Sequence, residues 1–167
     1  MTMVYLGGPI DLQHNDAYDW RKDVARELLK KGISSYDPRG AFKHNVNASV
    51  ETQKALIEIN KQALLNCDVA IFVMYSQVPS VGTPIELHMA QQNGITTITV
   101  WDPHRDSHRG QAIATTTENK CKSSYVLGLS DFLEYRFDSA VELIAQVDKG
   151  LKHLHHSTPP NIKDINQ

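Results

Sequence analysis

One stretch of this chain combines a glycine turn, a helix start and a carboxylate: Ser80-Val81-Gly82-Thr83-Pro84-Ile85-Glu86-Leu87-His88-Met89-Ala90. A helix opening at Gly82 presents unpaired N–H groups and the positive end of its dipole. Glu86, read as part of the first turn, is expected to stay ionised near neutral pH. Two roles fit such a carboxylate. It can complement the dipole, as acidic residues at helix starts commonly do, or it can attack an electron-poor carbon. The anomeric carbon of a sugar is one such target, because its oxocarbenium-like transition state is stabilised by a nearby carboxylate that can also form a covalent ester. His88 stands two positions further on and faces away from Glu86 on a helix, which fits a structural or interfacial role.

Two other polar turns carry groups of similar interest. Gly7-Gly8-Pro9-Ile10-Asp11 holds a second carboxylate, Asp11, suited to proton transfer. Tyr36-Asp37-Pro38-Arg39-Gly40-Ala41-Phe42 holds Asp37, which either forms the Asp-Pro turn or takes part in chemistry. In the same turn Arg39 suits a phosphate or a base carbonyl and Phe42 suits stacking on a base, against the plainer readings of a solvated arginine and a loop anchor. Arg21, next to Trp20, is open to the same two readings. His153, His155 and His156 lie beside Ser157-Thr158-Pro159-Pro160 and read as a solvated tail. The chain has no CxxC, HExxH or Walker pattern, and Gly7-Gly8-Pro9 is not GxGxxG, so neither a metal nor another cofactor is expected.

These turns fall between elements of alternating type. Met3 to Leu6 reads as a buried strand stopped by Gly7-Gly8-Pro9. Residues 17–31 read as a helix with Trp20, Val24, Leu28 and Leu29 on its apolar side and Gly32 as its cap. Ile33 to Tyr36 gives a second strand, followed by a polar loop through Asn47. Val50 to Asn66 gives a helix with Ala55, Leu56, Ile59, Ala63 and Leu64 inward, and residues 69–74 a third strand. Residues 82–93 form a helix capped by Gly94, and 95–100 a fourth strand of β-branched residues. Residues 102–123 are polar and aperiodic and read as a long loop. A short strand at Tyr125-Val126-Leu127 and a helix over about 131–151, with Phe132, Ala140, Leu143, Ile144 and Val147 inward, complete the pattern. The expected fold is α/β, a flavodoxin-like or Rossmann-like parallel sheet of about five strands with helices on both faces. Ligands in such folds sit at the carboxyl ends of the strands, where all three polar turns fall.

Taken together and in this order, Tyr5-Leu6-Gly7-Gly8-Pro9-Ile10, the helix ending in Asn66-Cys67-Asp68 before the third strand, and Gly82-Thr83-Pro84-Ile85-Glu86-Leu87 with the small Ala90 resemble the nucleoside 2-deoxyribosyltransferase family. The likeness covers about residues 3–100 and extends more weakly over 125–150. It implies that Glu86 is the nucleophile and that Tyr5 on the first strand orients it. Gly7, Gly8, Pro9, Asp37, Arg39, Phe42, Asn60, Ser80, Gly82 and Thr83 are then candidates to line the substrate crevice, Asn60 as a hydrogen-bond partner of the base or sugar. Two positions depart from the family pattern, which has aspartates where this chain has Asn60 and Ser80. An amide cannot act as a general acid, so proton delivery to the leaving base would fall to Asp11, Asp37, His88 or water.

The resemblance further implies cleavage of the N-glycosidic bond of a 2′-deoxynucleoside through a Glu86 ester, with transfer of the sugar to another nucleobase. The same family pattern includes hydrolases of nucleoside 5′-monophosphates that hold the phosphate with hydroxyls and amides. Thr115-Thr116-Thr117, Ser123, Ser124 and Tyr125 are candidates to supply such groups, in the same subunit or to a neighbouring subunit's pocket, which makes a homodimer or higher homo-oligomer the expected assembly. A non-catalytic nucleotide sensor of the same fold is the alternative of another class, since fold does not fix function.

Bulk properties agree with a small-molecule substrate. The 167 residues fit a single domain, expected over 1–151 with a loose tail at 152–167. Hydrophobic residues make up 41% and charged residues 22%, and the net charge of −2 gives no general attraction to nucleic-acid polymers or anionic membranes. Cys67 and Cys121 are the only cysteines, and Cys67 before an apolar strand reads as a buried thiol rather than part of a disulfide framework. With no secretory or membrane-spanning pattern, the cytoplasm is the expected compartment.

Overall fold

The computed structural model describes residues 2–8, 20–42, 49–74, 82–101, 130–134 and 136–148. In chain order these form β1 (Met3–Gly7), α1 (Trp20–Lys30), β2 (Ser34–Tyr36), α2 (Arg39–Phe42), α3 (Val50–Leu65), β3 (Val69–Met74), α4 (Gly82–Gln92), β4 (Thr96–Trp101), β5 (Phe132–Glu134) and α5 (Phe137–Asp148). The five strands form one sheet in the order β2-β1-β3-β4-β5, and every pairing is parallel. This is the flavodoxin-like arrangement, in which the strand order reverses between β1 and β3 and opens a crevice at their carboxyl ends.

Alternation along the strands divides the core between the two faces. Val4, Leu6, Val69, Ile71, Val73, Ile98 and Val100 pack under α1 and α5. Trp20 of α1 stacks on Phe137 of α5 with ring centroids 5.0 Å apart. Tyr5, Ala70 and Phe72 point the other way, toward Leu64 of α3 and Leu87 and Ala90 of α4. Helices thus cover both faces, as a parallel sheet requires. Among the described residues no helix is long and apolar enough to cross a membrane.

Local chemistry explains the boundaries. Gly32 and Gly94 follow α1 and α4 with φ of +75° and +70°, the left-handed conformation that ends a helix at little cost with glycine. Ser49 caps α3 by accepting from the Thr52 N–H at 3.2 Å. Ser49→Ala is expected to cost about 1 kcal/mol in denaturant unfolding, the usual worth of an N-cap hydroxyl. Cys67 is a buried thiol that donates to the Ala63 carbonyl, and burial beside Asp68 pushes its pKa up to about 11.

The structure corrects several expectations. The fifth strand is 132–134, where a helix from 131 was expected, and the helix begins only at Phe137. Asp131 fixes this start: its carboxylate accepts from the Thr97 N–H at 2.8 Å and the Thr97 hydroxyl at 3.0 Å, drawing the following residues into pairing with β4. Phe132 therefore lies on the sheet rather than on a helix face. The expected loop after Tyr36 holds the short α2, because the Asp37 carboxylate accepts from the Arg39 N–H and caps that turn. Leu29 is 70% exposed, as are Ala55 and Ile59 in large part. The inward stripe of α3 is Leu56, Asn60 and Leu64, at four-residue spacing, so a polar residue takes the place given to Ile59. The strand expected at 125–127, the loop 102–123 with Thr115-Thr116-Thr117 and Cys121, and the tail with its histidines lie outside the described residues.

Candidate active site

The carboxyl end of β1 and the start of α4 meet at the crevice. Tyr5 is wholly buried on β1, and its hydroxyl donates to Glu86 Oε1 at 2.8 Å. The partner is 81 positions away in sequence, brought close because α4 packs over β1 and β3. Burial, the neighbouring Glu86 charge and the hydrogen bond to Glu86 all raise the Tyr5 pKa well above that of an ordinary phenol. Tyr5 is therefore a proton-bearing donor rather than a base.

Glu86 differs from expectation in one respect that bears on its chemistry. It is the fifth residue of α4, and the first turn holds no acidic residue. Its own N–H is thus within reach of the Gly82 carbonyl, and the dipole at this depth has largely faded. Burial raises its pKa, opposed by the Tyr5 hydrogen bond and by the positive charge of Arg21. What favours the ionised form is these two side chains rather than the helix terminus.

Tyr5 is held in turn by aromatic neighbours. Its ring stacks on Tyr36 of β2 with centroids 5.8 Å apart and planes at 18°, and lies 6.4 Å from Phe72. Tyr5 and Tyr36 are register partners across the β1–β2 pair, which explains the stack. The Tyr36 hydroxyl donates to Asn60 Oδ1 at 2.9 Å, and Asn60 Nδ2 donates to the Pro38 carbonyl at 3.2 Å. Asn60 is 3% exposed. Its amide therefore braces Tyr36 and the Pro38 turn. Asn60→Asp would set a carboxylate oxygen against the Pro38 carbonyl, lowering stability at pH 7 by about 1–2 kcal/mol. The new carboxyl would have a folded pKa raised above its unfolded value, so the deficit is absent near pH 4 and below and grows as pH rises through the folded pKa. Denaturant unfolding at the two pH values checks this.

Asp37 and Arg39 pair with each other. Arg39 Nη2 lies 2.6 Å from Asp37 Oδ2, and Arg39 Nε donates to both carboxylate oxygens at 3.1 Å. The turn-forming role of Asp37 is thus visible, and its carboxylate also stands 3.7 Å from Arg21 Nε. Gly7 and Gly8 end β1 against Phe72, Trp20 and Arg21. Gly82 is exposed and Thr83 buried in the first turn of α4. His88 is exposed, consistent with a position facing away from Glu86. Pro9, Asp11, Ser80, Ser123, Ser124, Tyr125 and the side chain of Phe42 lie outside the described residues. Among the described residues no group of three or more His, Cys, Asp or Glu side chains could hold a metal.

Sequence reasoning missed Tyr36 and Phe72 and left Arg21 undecided. The only signal for Tyr36 was a tyrosine at the end of the second strand. Its use depends on a register that a single sequence does not reveal.

The family model described as "Nucleoside 2-deoxyribosyltransferase like" matches residues 1–104, more than half of the chain. The chain belongs to that family. The match contains β1 to β4 and therefore both Tyr5 and Glu86. Among solved structures, a conserved protein from Enterococcus faecalis is similar at a TM-score of 0.64 and 17% identity, over 88% of this chain and 99% of that one. A 2-deoxyribosyltransferase from Bacillus psychrosaccharolyticus is similar at a TM-score of 0.50 and 17% identity, over 59% of this chain and 72% of its own. At such identities these likenesses bear on the fold of this family member. No curated protein matches its sequence.

Proposed function

We propose that this protein cleaves the N-glycosidic bond of a 2′-deoxynucleoside and transfers the sugar to a second nucleobase. The observation that carries this reading is the 2.8 Å hydrogen bond from Tyr5 to Glu86 Oε1 at the strand-order reversal. Tyr5 engages Oε1 and leaves Oε2 as the attacking atom. A bond forms between Oε2 and C1′ while the C1′–N bond breaks, its electron pair leaving with the base, which takes up a proton. The nitrogen of a second base then attacks C1′, the ester opens to restore the carboxylate, and that base gives up its proton. Two displacements at one carbon retain its configuration.

The partial burial of Glu86 suits this chemistry, because low water content strengthens the attraction between the carboxylate and the developing oxocarbenium ion. Membership of the nucleoside 2-deoxyribosyltransferase-like family supports the substrate class.

The test is incubation with 2′-deoxynucleosides and separately with their 5′-monophosphates, with and without an acceptor base, followed by chromatography. The expected result is free base from the deoxynucleoside and a new deoxynucleoside when acceptor is added. Base release from the monophosphates alone, to water, would replace transfer by nucleotide hydrolysis. Tight nucleotide binding without any base release would replace the enzyme by a sensor.

A further inference from the structure

Arg21 is the one charged side chain among the described residues that is fully buried, at 3% exposure. Removing a guanidinium from water costs several kcal/mol unless its donors and charge are matched, so its surroundings indicate what it does. Nε donates to the Leu6 carbonyl at 3.0 Å and Nη2 to the Gly8 carbonyl at 2.8 Å. These two carbonyls flank Gly7 at the end of β1, directly after Tyr5. The guanidinium lies 4.5 Å from the Trp20 ring centroid and 3.7 Å from the Asp37 carboxylate, itself paired with Arg39. A side chain at Gly8 would begin 3.1 Å from Arg21 Nη2, so bare backbone at that position is what lets the guanidinium approach.

Resting on the activity proposed above, we propose that Arg21 is the positioning residue of this site: its guanidinium clamps the Leu6–Gly8 turn that carries Tyr5, and its charge opposes that of Glu86. The two parts have separate physical bases. The clamp needs a planar fork that spans two carbonyls, which arginine has and lysine lacks. The charge needs only a cation at that depth.

The surroundings of Glu86 leave Arg21 as the cation in question. Among the described residues, Tyr5 of β1 donates to it, Phe72 of β3 lies in the same core layer as Leu87 and Ala90 of α4, and Asn60 of α3 holds Tyr36 behind Tyr5. On β4, Thr97 and Thr99 occupy that face, and on α4 itself His88 is exposed. Tyr36 and Asp37 stand beyond Tyr5 and Arg21 on the β2 side. The charge interactions that act on Glu86 and Tyr5 include Arg21 in both cases, favouring the ionised form of each.

The experiment is a carbon-13 NMR titration of the Glu86 side-chain carboxyl, assigned by its disappearance in Glu86→Gln, in the unmodified protein, Arg21→Met and Arg21→Lys. It is combined with the pH profile of base release. Arg21→Met is expected to raise the Glu86 midpoint, with the acid limb of kcat/KM moving in the same direction. Arg21→Lys is expected to keep the midpoint and to lower kcat about tenfold with KM little changed. A folded Arg21→Met with an unmoved midpoint overturns the assignment, as does an Arg21→Lys that turns over like the unmodified protein. If Arg21→Met does not fold, Arg21→Lys decides alone: reduced kcat at an unmoved midpoint supports the assignment, and unchanged kcat or a raised midpoint overturns it. The titration needs no turnover. Absence of base release would therefore count against the proposed activity, while the midpoints would still decide the role of the charge.

Discussion

Glu86→Gln is expected to lower base release from a 2′-deoxynucleoside by at least ~10³-fold, with the protein still folded and still binding nucleoside. The substitution keeps the shape of the side chain and an oxygen to accept from Tyr5, and removes only the ability to form and release a glycosyl ester. Activity retained within a few fold would end the nucleophile assignment. The titration of Glu86 gives the same proposal a second check. Burial raises its pKa, so the attacking carboxylate is lost at a higher pH than for an exposed glutamate, and kcat/KM should fall on the acid side with that raised midpoint. Stability must move in the opposite sense. A carboxyl whose folded pKa lies above its unfolded value contributes its full share of stability below the unfolded pKa and loses it as pH rises through the folded one. Glu86→Gln should therefore be at least as stable as the unmodified protein near neutral pH, with the difference shrinking in acid. A gain in stability coupled to loss of activity is what separates a strained functional carboxylate from one that serves the fold.

The two halves of this site were unequally visible in the sequence. Alternating apolar strands and amphipathic helices with glycine stops are enough to place β1 to β4, because each signal is local. Gly32 and Gly94 ended their helices as expected for the same reason. Phe132-Leu133-Glu134 was read as the start of a helix since it is too short to show a strand period, and what makes it a strand is a contact between Asp131 and Thr97, 34 positions apart. Tyr5 and Glu86 were legible only through resemblance to a family. Residue types alone left Glu86 between a helix-dipole role and chemistry, and the dipole argument itself placed it one turn too early. The supports of the pair are tertiary facts. Arg21 reads as an ordinary helix residue until its burial and its two carbonyl partners are known. Asn60 reads as a lost carboxylate until its amide is found bridging Tyr36 and Pro38, a use that needs both a donor and an acceptor and which an ionised aspartate could not serve.

Gly7→Ala is expected to damage both fold and activity, and it separates the need for space from the need for flexibility. The φ of Gly7 is not positive, so its backbone is open to any residue and the constraint is steric. A Cβ there would lie 2.5 and 2.6 Å from Phe72 Cδ1 and Cε1, on a ring with no exposure, and 3.4 Å from Tyr5 Cε1. Overpacking of this kind typically costs about 1–3 kcal/mol. The strain is relieved by moving β1 or Phe72, and because Tyr5 stands two positions before Gly7 on β1, a shift of that strand carries it away from Glu86. Displacements of about 1 Å in a positioned group can cost on the order of 10²-fold in rate, so kcat should fall by ~10 to 10² beyond any loss from unfolding. Gly40→Ala is the control: nothing lies within 4 Å of a Cβ at Gly40, and an alanine in α2 should be neutral or slightly stabilising. Phe72→Leu combined with Gly7→Ala should recover part of the stability by vacating the space. If it does so without recovering kcat, the aromatic wall behind Tyr5 is needed for the orientation of Glu86 as well as for packing.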